Sequence, residues 1–262
     1  DGDIDALLSA FDALGQGLAV LTLVYGYSGV GKSTLVNEIH KPVIQKNGRF
    51  IAGKFDQFKR NLPYSAFIQA FREAVKQILT EPEAQIAYWK AQFLDAFGSI
   101  GQVIVDVIPE IELLIGKQPP APPLGPTETQ NRFNFILQRF VGLFAQPEHP
   151  LIIFLDDWQW ADSASLNLLQ LLVTHPDNQH LLLIGAYREN EVTAMHPLLS
   201  VVEAIEQSGV TVKRIALNPL TEADINAMIA DTLHTTHAYV ASLTALVVNK
   251  TGGNPFFVRE FL

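Results

Sequence analysis

The stretch Gly26-Tyr27-Ser28-Gly29-Val30-Gly31-Lys32-Ser33 constrains this chain more than any other. Ahead of it, Leu18 to Tyr25 is an apolar, β-branched run that reads as a strand buried on both faces. Behind it, Thr34 to His40 has the spacing of the first turns of a helix. Glycines between a strand and a helix let the backbone turn so that successive N–H groups face one concavity, which a phosphate chain can fill. The helix N-terminus adds unpaired N–H groups and partial positive charge. In such a loop Lys32 reaches the β- and γ-phosphates, Ser33 takes one position on Mg2+, and Tyr27, Ser28, Val30 and Thr34 supply backbone or side-chain contacts. The pattern predicts a nucleotide-binding loop.

Such a loop needs an acidic partner at the carboxyl edge of a parallel sheet, where ligands of open α/β sheets sit. Leu151-Ile152-Ile153-Phe154-Leu155 followed by Asp156-Asp157 supplies it in the Walker B arrangement. Asp156 is expected to hold Mg2+, directly or through water, and Asp157 to polarise the attacking water. The simpler reading, acidic residues ahead of the next helix, rests on the helix dipole. Arg188 ends a fourth strand on the same edge. It suits either γ-phosphate sensing or a salt bridge to Glu189 or Glu191. Trp158 and Trp160 read as buried aromatics before base-stacking ones. Lys54, Lys59 and Arg60 form a basic cluster, read first as a solvated edge and second as a phosphate or partner contact. His234 and His237 share a helical face without a carboxylate, so no zinc site is expected.

Strands expected at 18–25, 49–55, 151–155, 180–187 and 210–217 alternate with helices, which predicts an α/β fold with a parallel sheet covered on both faces. Helices are expected over 4–14, 34 to about Pro42, 65–79, 83–97, 103–115 broken at Pro109, 127–145, 164–173 capped by Ser163, and 196–207. Gln118 to Pro126 is proline-rich and reads as an exposed connecting loop rather than a polyproline ligand. After Pro219 the pattern is helical only, with Thr221-Glu222-Ala223-Asp224 a capping-box-like start. This places the domain boundary near Asn218, with a core at 1–218 and a small helical subdomain at 219–262. Thr251-Gly252-Gly253-Asn254-Pro255-Phe256 alone is a tight turn with proline at a helix start.

Net charge is −9 over 262 residues, so the chain offers no overall cationic surface for nucleic acid or anionic lipid. Zero cysteines exclude disulfides and thiolate sites and fit a reducing cytoplasm. Apolar runs such as Leu181 to Ile184 are far too short to span a bilayer. The acidic start is unlike a signal peptide, and the end falls within a helical pattern, so a fragment of a longer protein is expected.

Taken together, the phosphate loop, the run Leu151 to Asp162, the arginine after Ile184-Gly185-Ala186-Tyr187, and Gly252-Gly253-Asn254-Pro255-Phe256 resemble the signal-transduction (STAND) branch of P-loop ATPases, related to AAA+ proteins. Gly53-Lys54-Phe55-Asp56-Gln57 with Pro63-Tyr64 is similar to the ATPase module of bacterial proteins that join a serine/threonine kinase-like domain, this ATPase and a sensor histidine kinase. The resemblance implies a three-layer α/β/α core with five parallel strands and a helical lid. It implies Arg188 as the γ-phosphate sensor, Gly253, Asn254 and Pro255 closing over the nucleotide near the base, and ATP (ADP) with Mg2+ as cofactors. The implied partners are nucleotide, other domains of a parent signalling protein and further copies of the chain, without nucleic acid or membrane. Asp1-Gly2-Asp3 stands where the family carries a Gly-Arg-Glu segment of the adenine pocket. Trp158 stands where it carries an aliphatic residue, a bulky change beside the metal edge. The expected function is a slowly hydrolysing ATP switch gated by core–lid closure. The alternatives are a nucleotide-stabilised scaffold without turnover and an origin-recognition-like ATPase on DNA.

Overall fold

The computed structural model describes residues 2–58 and 62–262. Lys59 and Arg60 of the basic cluster lie outside the described residues. Five strands, β1 (Val20–Gly26), β2 (Arg49–Lys54), β3 (Leu151–Asp156), β4 (Leu181–Arg188) and β5 (Thr211–Ala216), form one sheet in the order β2-β3-β4-β1-β5, and every pairing is parallel. The helices are α1 (Gly2–Ala13), α2 (Lys32–Glu38), α3 (His40–Gln45), α4 (Ser65–Leu79), α5 (Glu83–Phe97), α6 (Gly101–Val105), α7 (Glu112–Ile115), α8 (Pro126–Phe144), α9 (Ser163–Thr174), α10 (Pro197–Gln207), α11 (Glu222–Thr232), α12 (His237–Thr251) and α13 (Pro255–Phe261).

The alternation along β3 sorts the layers. Leu151, Ile153 and Leu155 pack into a core with α4, α5, α8, α9 and α10, whereas Ile152 and Phe154 pack into a second core with α1, α2 and α3. A parallel sheet covered on both faces needs such near-continuous apolar strands. The three-layer α/β/α expectation is borne out. Helices α11 to α13 bury Ile225, Ile229, Val240, Val247 and Val258 in a small cluster of their own.

Several expected boundaries shift, each for a local reason. The first strand begins at Val20, because Leu18 is exposed beyond a 3₁₀ turn at 14–16. The phosphate-loop helix does not run to Pro42: it breaks at Ile39, and α3 restarts at His40 with Pro42 in its first turn, where a missing N–H costs no helical bond. The 103–115 segment divides into α6, a 3₁₀ turn at Pro109–Ile111 and α7. Pro126 opens α8 as its first residue rather than closing the proline-rich loop. The N-cap of α9 is Asp162, not Ser163, because the Asp162 carboxylate accepts from the Ser165 amide. Thr221 and Asp224 form the expected capping box.

Close packing of α4 on β2 sets the edge of the site. A Cβ at Gly53 would lie 1.9 Å from the Ala66 carbonyl oxygen, so only glycine admits this approach. Gly53→Ala is therefore expected to destabilise the chain by about 1–3 kcal/mol in urea unfolding, the cost of overpacking a site that must shift backbone. An unchanged midpoint would contradict the packing.

Candidate phosphate-binding site

The C-terminal ends of β1, β3 and β4 converge, and each delivers a site residue in the register the sheet dictates: Gly26 pairs with Arg188, and Lys54 at the end of β2 pairs with Asp156. The loop from Gly26 to Ser33 turns through positive φ at Gly29 (78°) and Gly31 (99°), the latter capping α2. Lys32 is buried, and its ammonium donates to the carbonyls of Gly26 (2.9 Å) and Tyr27 (2.8 Å). Burial pulls the Lys32 pKa below the usual lysine value. Asp156 and Asp157 oppose that shift, while the neighbouring Arg188 adds to it. An incoming phosphate would stabilise the charged form.

Ser33 Oγ donates to Asp156 Oδ2 at 2.9 Å, joining the loop to the end of β3. The other Asp156 oxygen accepts from the Asp157 amide at 2.8 Å. Asp157 has a left-handed backbone (φ 56°) and is almost fully buried. Gln159 Nε2 donates to its Oδ1 at 2.8 Å, Arg188 Nε lies 3.5 Å from the same oxygen, and Lys54 Nζ lies 2.8 Å from Oδ2. Lys54 Nζ also stands 3.5 Å from Asp156 Oδ2. Burial alone would lower the Lys54 pKa, but the contact with Asp157 and the charges of both carboxylates outweigh it and raise the pKa. The solvated-edge reading of Lys54 is thus corrected: the side chain is more than half exposed, yet its head closes on the acidic pair.

Arg188 makes the salt bridge that was one of its two readings, to Glu191 at 2.8 Å, and its guanidinium lies over the Trp160 ring at 4.9 Å. Trp160 Nε1 in turn donates to Glu191 at 3.0 Å. The arginine still lines the phosphate-loop cavity. Trp158 packs into the core beneath the sheet face that carries α4. It is fully buried against Phe55 and Phe67 and fills the space left at Gly185, where a Cβ would meet its indole nitrogen at 2.8 Å.

From the other side, Asn254 Nδ2 donates to the Ser28 carbonyl at 2.8 Å, and the Phe256 amide donates to the Gly29 carbonyl at 3.2 Å. Gly253 accepts from the Leu220 amide at 2.8 Å. The Gly253-Asn254-Pro255 turn therefore meets the phosphate loop itself. A cavity of about 450 Å³ opens between Gly31, Lys32 and Ser33 below, the acidic pair beside them, and Pro255 and Phe256 above. A larger hollow of about 1020 Å³ shares Lys54 with this cavity but carries no phosphate-loop residue.

Two residues of the site escaped the sequence reading, and a third was read without its contacts. Gln159 bridges Asp157 to β4, because its Oε1 accepts from the Arg188 amide at 3.1 Å. Lys54 was seen without its partners. Arg259 of α13 lines the cavity from the side of Pro255 and Phe256, and a basic residue one turn into a helix that starts at Asn254-Pro255 was the available signal. Lys32, Lys54, Arg188 and Arg259 thus set four cations against two carboxylates in a chain of net charge −9.

The profile of the AAA ATPase domain family matches residues 1–184, so the chain belongs to that family. Among named relatives, it is 30% identical to the hybrid signal transduction histidine kinase G of Dictyostelium discoideum, over 99% of this chain and 9% of the relative. It is 21% identical to the peroxide stress-activated histidine kinase mak3 of Schizosaccharomyces pombe, over 97% of this chain and 12% of the relative. The chain thus spans about a tenth of the length of these relatives. Similar solved structures include the Aeropyrum pernix ORC1 protein in complex with DNA (16% identity, TM-score 0.49, covering 98% of this chain and 56% of that one). Another is a STAND protein with a tetratricopeptide repeat sensor from Pyrococcus horikoshii (12% identity, TM-score 0.42, covering 95% and 28%).

Gln159→Leu removes two buried hydrogen bonds, to Asp157 and to the Arg188 amide. It is expected to cost about 1–3 kcal/mol in chemical denaturation, from the polar groups left unpaired. A stability within 0.3 kcal/mol of wild type, about the error of such a comparison, would show that these bonds are not formed.

Proposed function

We propose that this chain binds ATP with Mg2+ at the cavity beneath Asn254-Pro255 and hydrolyses it slowly, as the switch module of a longer signalling protein. The observation that carries the reading is the joining of Lys32, Ser33, Asp156, Asp157 and Arg188 at one sheet edge, under a segment that touches the loop's own carbonyls. We place the core at 1–218 and the lid at 219–262.

In this reading the N–H groups of residues 28–34 cradle the phosphates, and Lys32 exchanges its two carbonyl partners for phosphate oxygens. Ser33 and Asp156 fit Mg2+. Among the described residues no group of three or more His, Cys, Asp or Glu could hold a metal by itself, and an ion that brings phosphates and several waters needs only such a pair. When bound, Mg2+ supplies charge neutralisation to the β- and γ-phosphates. Asp157 orients a water towards the γ-phosphorus and accepts its proton as the new P–O bond forms. The bond to the β-phosphate oxygen breaks, and ADP and inorganic phosphate are released. Arg188, freed from Glu191, and Arg259 offset the charge spread over the transferred group. Loss of the γ-phosphate weakens the hold on Arg188 and Arg259, and the lid relaxes. That coupling makes a switch.

The scaffold reading has one specific support: both Asp157 oxygens already face donors, which suits a resting site. The acidic balance favours neither DNA nor an anionic membrane as partner. Among the described residues no helix is long and apolar enough to cross a membrane. The proposed location is the cytoplasm, a reducing compartment with which a chain without cysteine is compatible.

The test is binding of a fluorescent ATP analogue with Mg2+, with phosphate release followed in the same samples. Lys32→Ala is expected to abolish binding. Asp157→Asn is expected to keep binding within a few-fold while phosphate release falls by about 10²-fold or more, the scale of losing a general base. Wild-type binding without release would establish the scaffold. No wild-type binding would overturn the proposal.

A further inference from the structure

We infer that Lys54 is a resident counter-cation of the acidic pair, one that holds the site in a resting state and must yield its place when a divalent ion arrives. This deepens the reading above and rests on it only for the identity of the ion.

The geometry is specific. Asp156 Oδ2 faces two groups at once, Ser33 Oγ at 2.9 Å and Lys54 Nζ at 3.5 Å. A divalent ion held by Ser33 and Asp156 would stand close to the ammonium, because both would face the same carboxylate oxygen. Like charges at such a distance repel at the effective dielectric of a protein surface, and a doubly charged ion repels a cation more than a singly charged one does. Without that ion, two adjacent carboxylates, one almost fully buried and the other shielded, require a nearby cation. Lys54 supplies it.

The backbone of Lys54 stays in place through such an exchange. Its amide donates to Gln69 Oε1 at 3.0 Å, the next amide, that of Phe55, donates to the Asp156 carbonyl at 3.0 Å, and Gly53 is locked against α4. Only the side chain is free to move. It is 57% exposed and lines the same cavity as the phosphate loop, so the displaced ammonium swings towards the phosphates. Its departure uncovers Asp157 Oδ2, the oxygen that its head now faces at 2.8 Å. One exchange of cations thus fills the metal position, adds a charge beside the phosphates and releases the carboxylate that takes a proton from water. Lys54 acts through Asp157 and the ion; it is a positioning residue.

The test uses Mn2+ as the probe, without nucleotide, and reads free Mn2+ by electron paramagnetic resonance. Lys54→Met is compared with wild type, with Lys54→Arg, and with Lys46→Met, whose ammonium pairs with Asp12 on another face. Circular dichroism checks that all are folded. Lys54→Met is expected to bind Mn2+ about tenfold or more tightly than wild type, because the acidic pair has lost its internal competitor. Lys54→Arg and Lys46→Met are expected to match wild type. Saturating Mg2+ should also raise the Tm of Lys54→Met more than that of wild type. Equal Mn2+ affinity in Lys54→Met and wild type, including no binding by either, would overturn the inference. Because no nucleotide is present, this result is independent of the ATP-analogue assay, so failure of one proposal is distinguishable from failure of the other.

Discussion

The hydrogen bond from Ser33 to Asp156 joins residues 123 positions apart, and the site depends on it. It forms because β1 and β3 end on the same edge of one parallel sheet, separated only by β4. In β1, β3 and β4 nearly every residue is buried, so a one-residue slip would exchange apolar side chains between two filled cores. Register is therefore held by burial rather than by the polar groups themselves. The polar groups inherit their positions from it: Arg188 beside Gly26, and Lys54 beside Asp156.

The second constraint is charge. A buried aspartate with a left-handed backbone is costly, and here its carboxylate faces Gln159, Arg188 and Lys54 together. Those same cations face the cavity in which a polyphosphate would lie. In the proposed reading, phosphate and carboxylates compete for one set of positive groups, and binding would redistribute the cations. The segment at residues 254–256 belongs to the same arrangement. It reaches the loop by donating to the carbonyls of Ser28 and Gly29, the outer side of the peptides whose N–H groups are expected to cradle phosphate. Any change of loop conformation is felt directly at Asn254 and Phe256.

Much of this was legible in the chain, where one contiguous pattern carries its own context. The loop is preceded by a buried strand and followed by a helix, and Asp156 terminates five apolar residues. The fold class and the elements that carry the site follow from those runs. What was not legible depends on sheet order or side-chain direction. Lys54 is 102 residues from Asp156 and becomes its neighbour only because β2 lies beside β3. Gln159 is not legible in the sequence, because one of its partners, Asp157, follows β3 and the other, the Arg188 amide, belongs to the end of β4. The place of Trp158 depends on the space at Gly185, a residue of another strand. Local errors have local causes, such as Asp162 outcompeting Ser163 as a cap and α3 restarting with Pro42 in its first turn.

The most direct measurement of the central claim is amide hydrogen exchange with and without a non-hydrolysable ATP analogue and Mg2+. The account predicts new protection in two separate segments, residues 28–34 and residues 252–258, with little change on β5 at the far edge. Protection confined to other regions, or absent from the 28–34 loop, would contradict it.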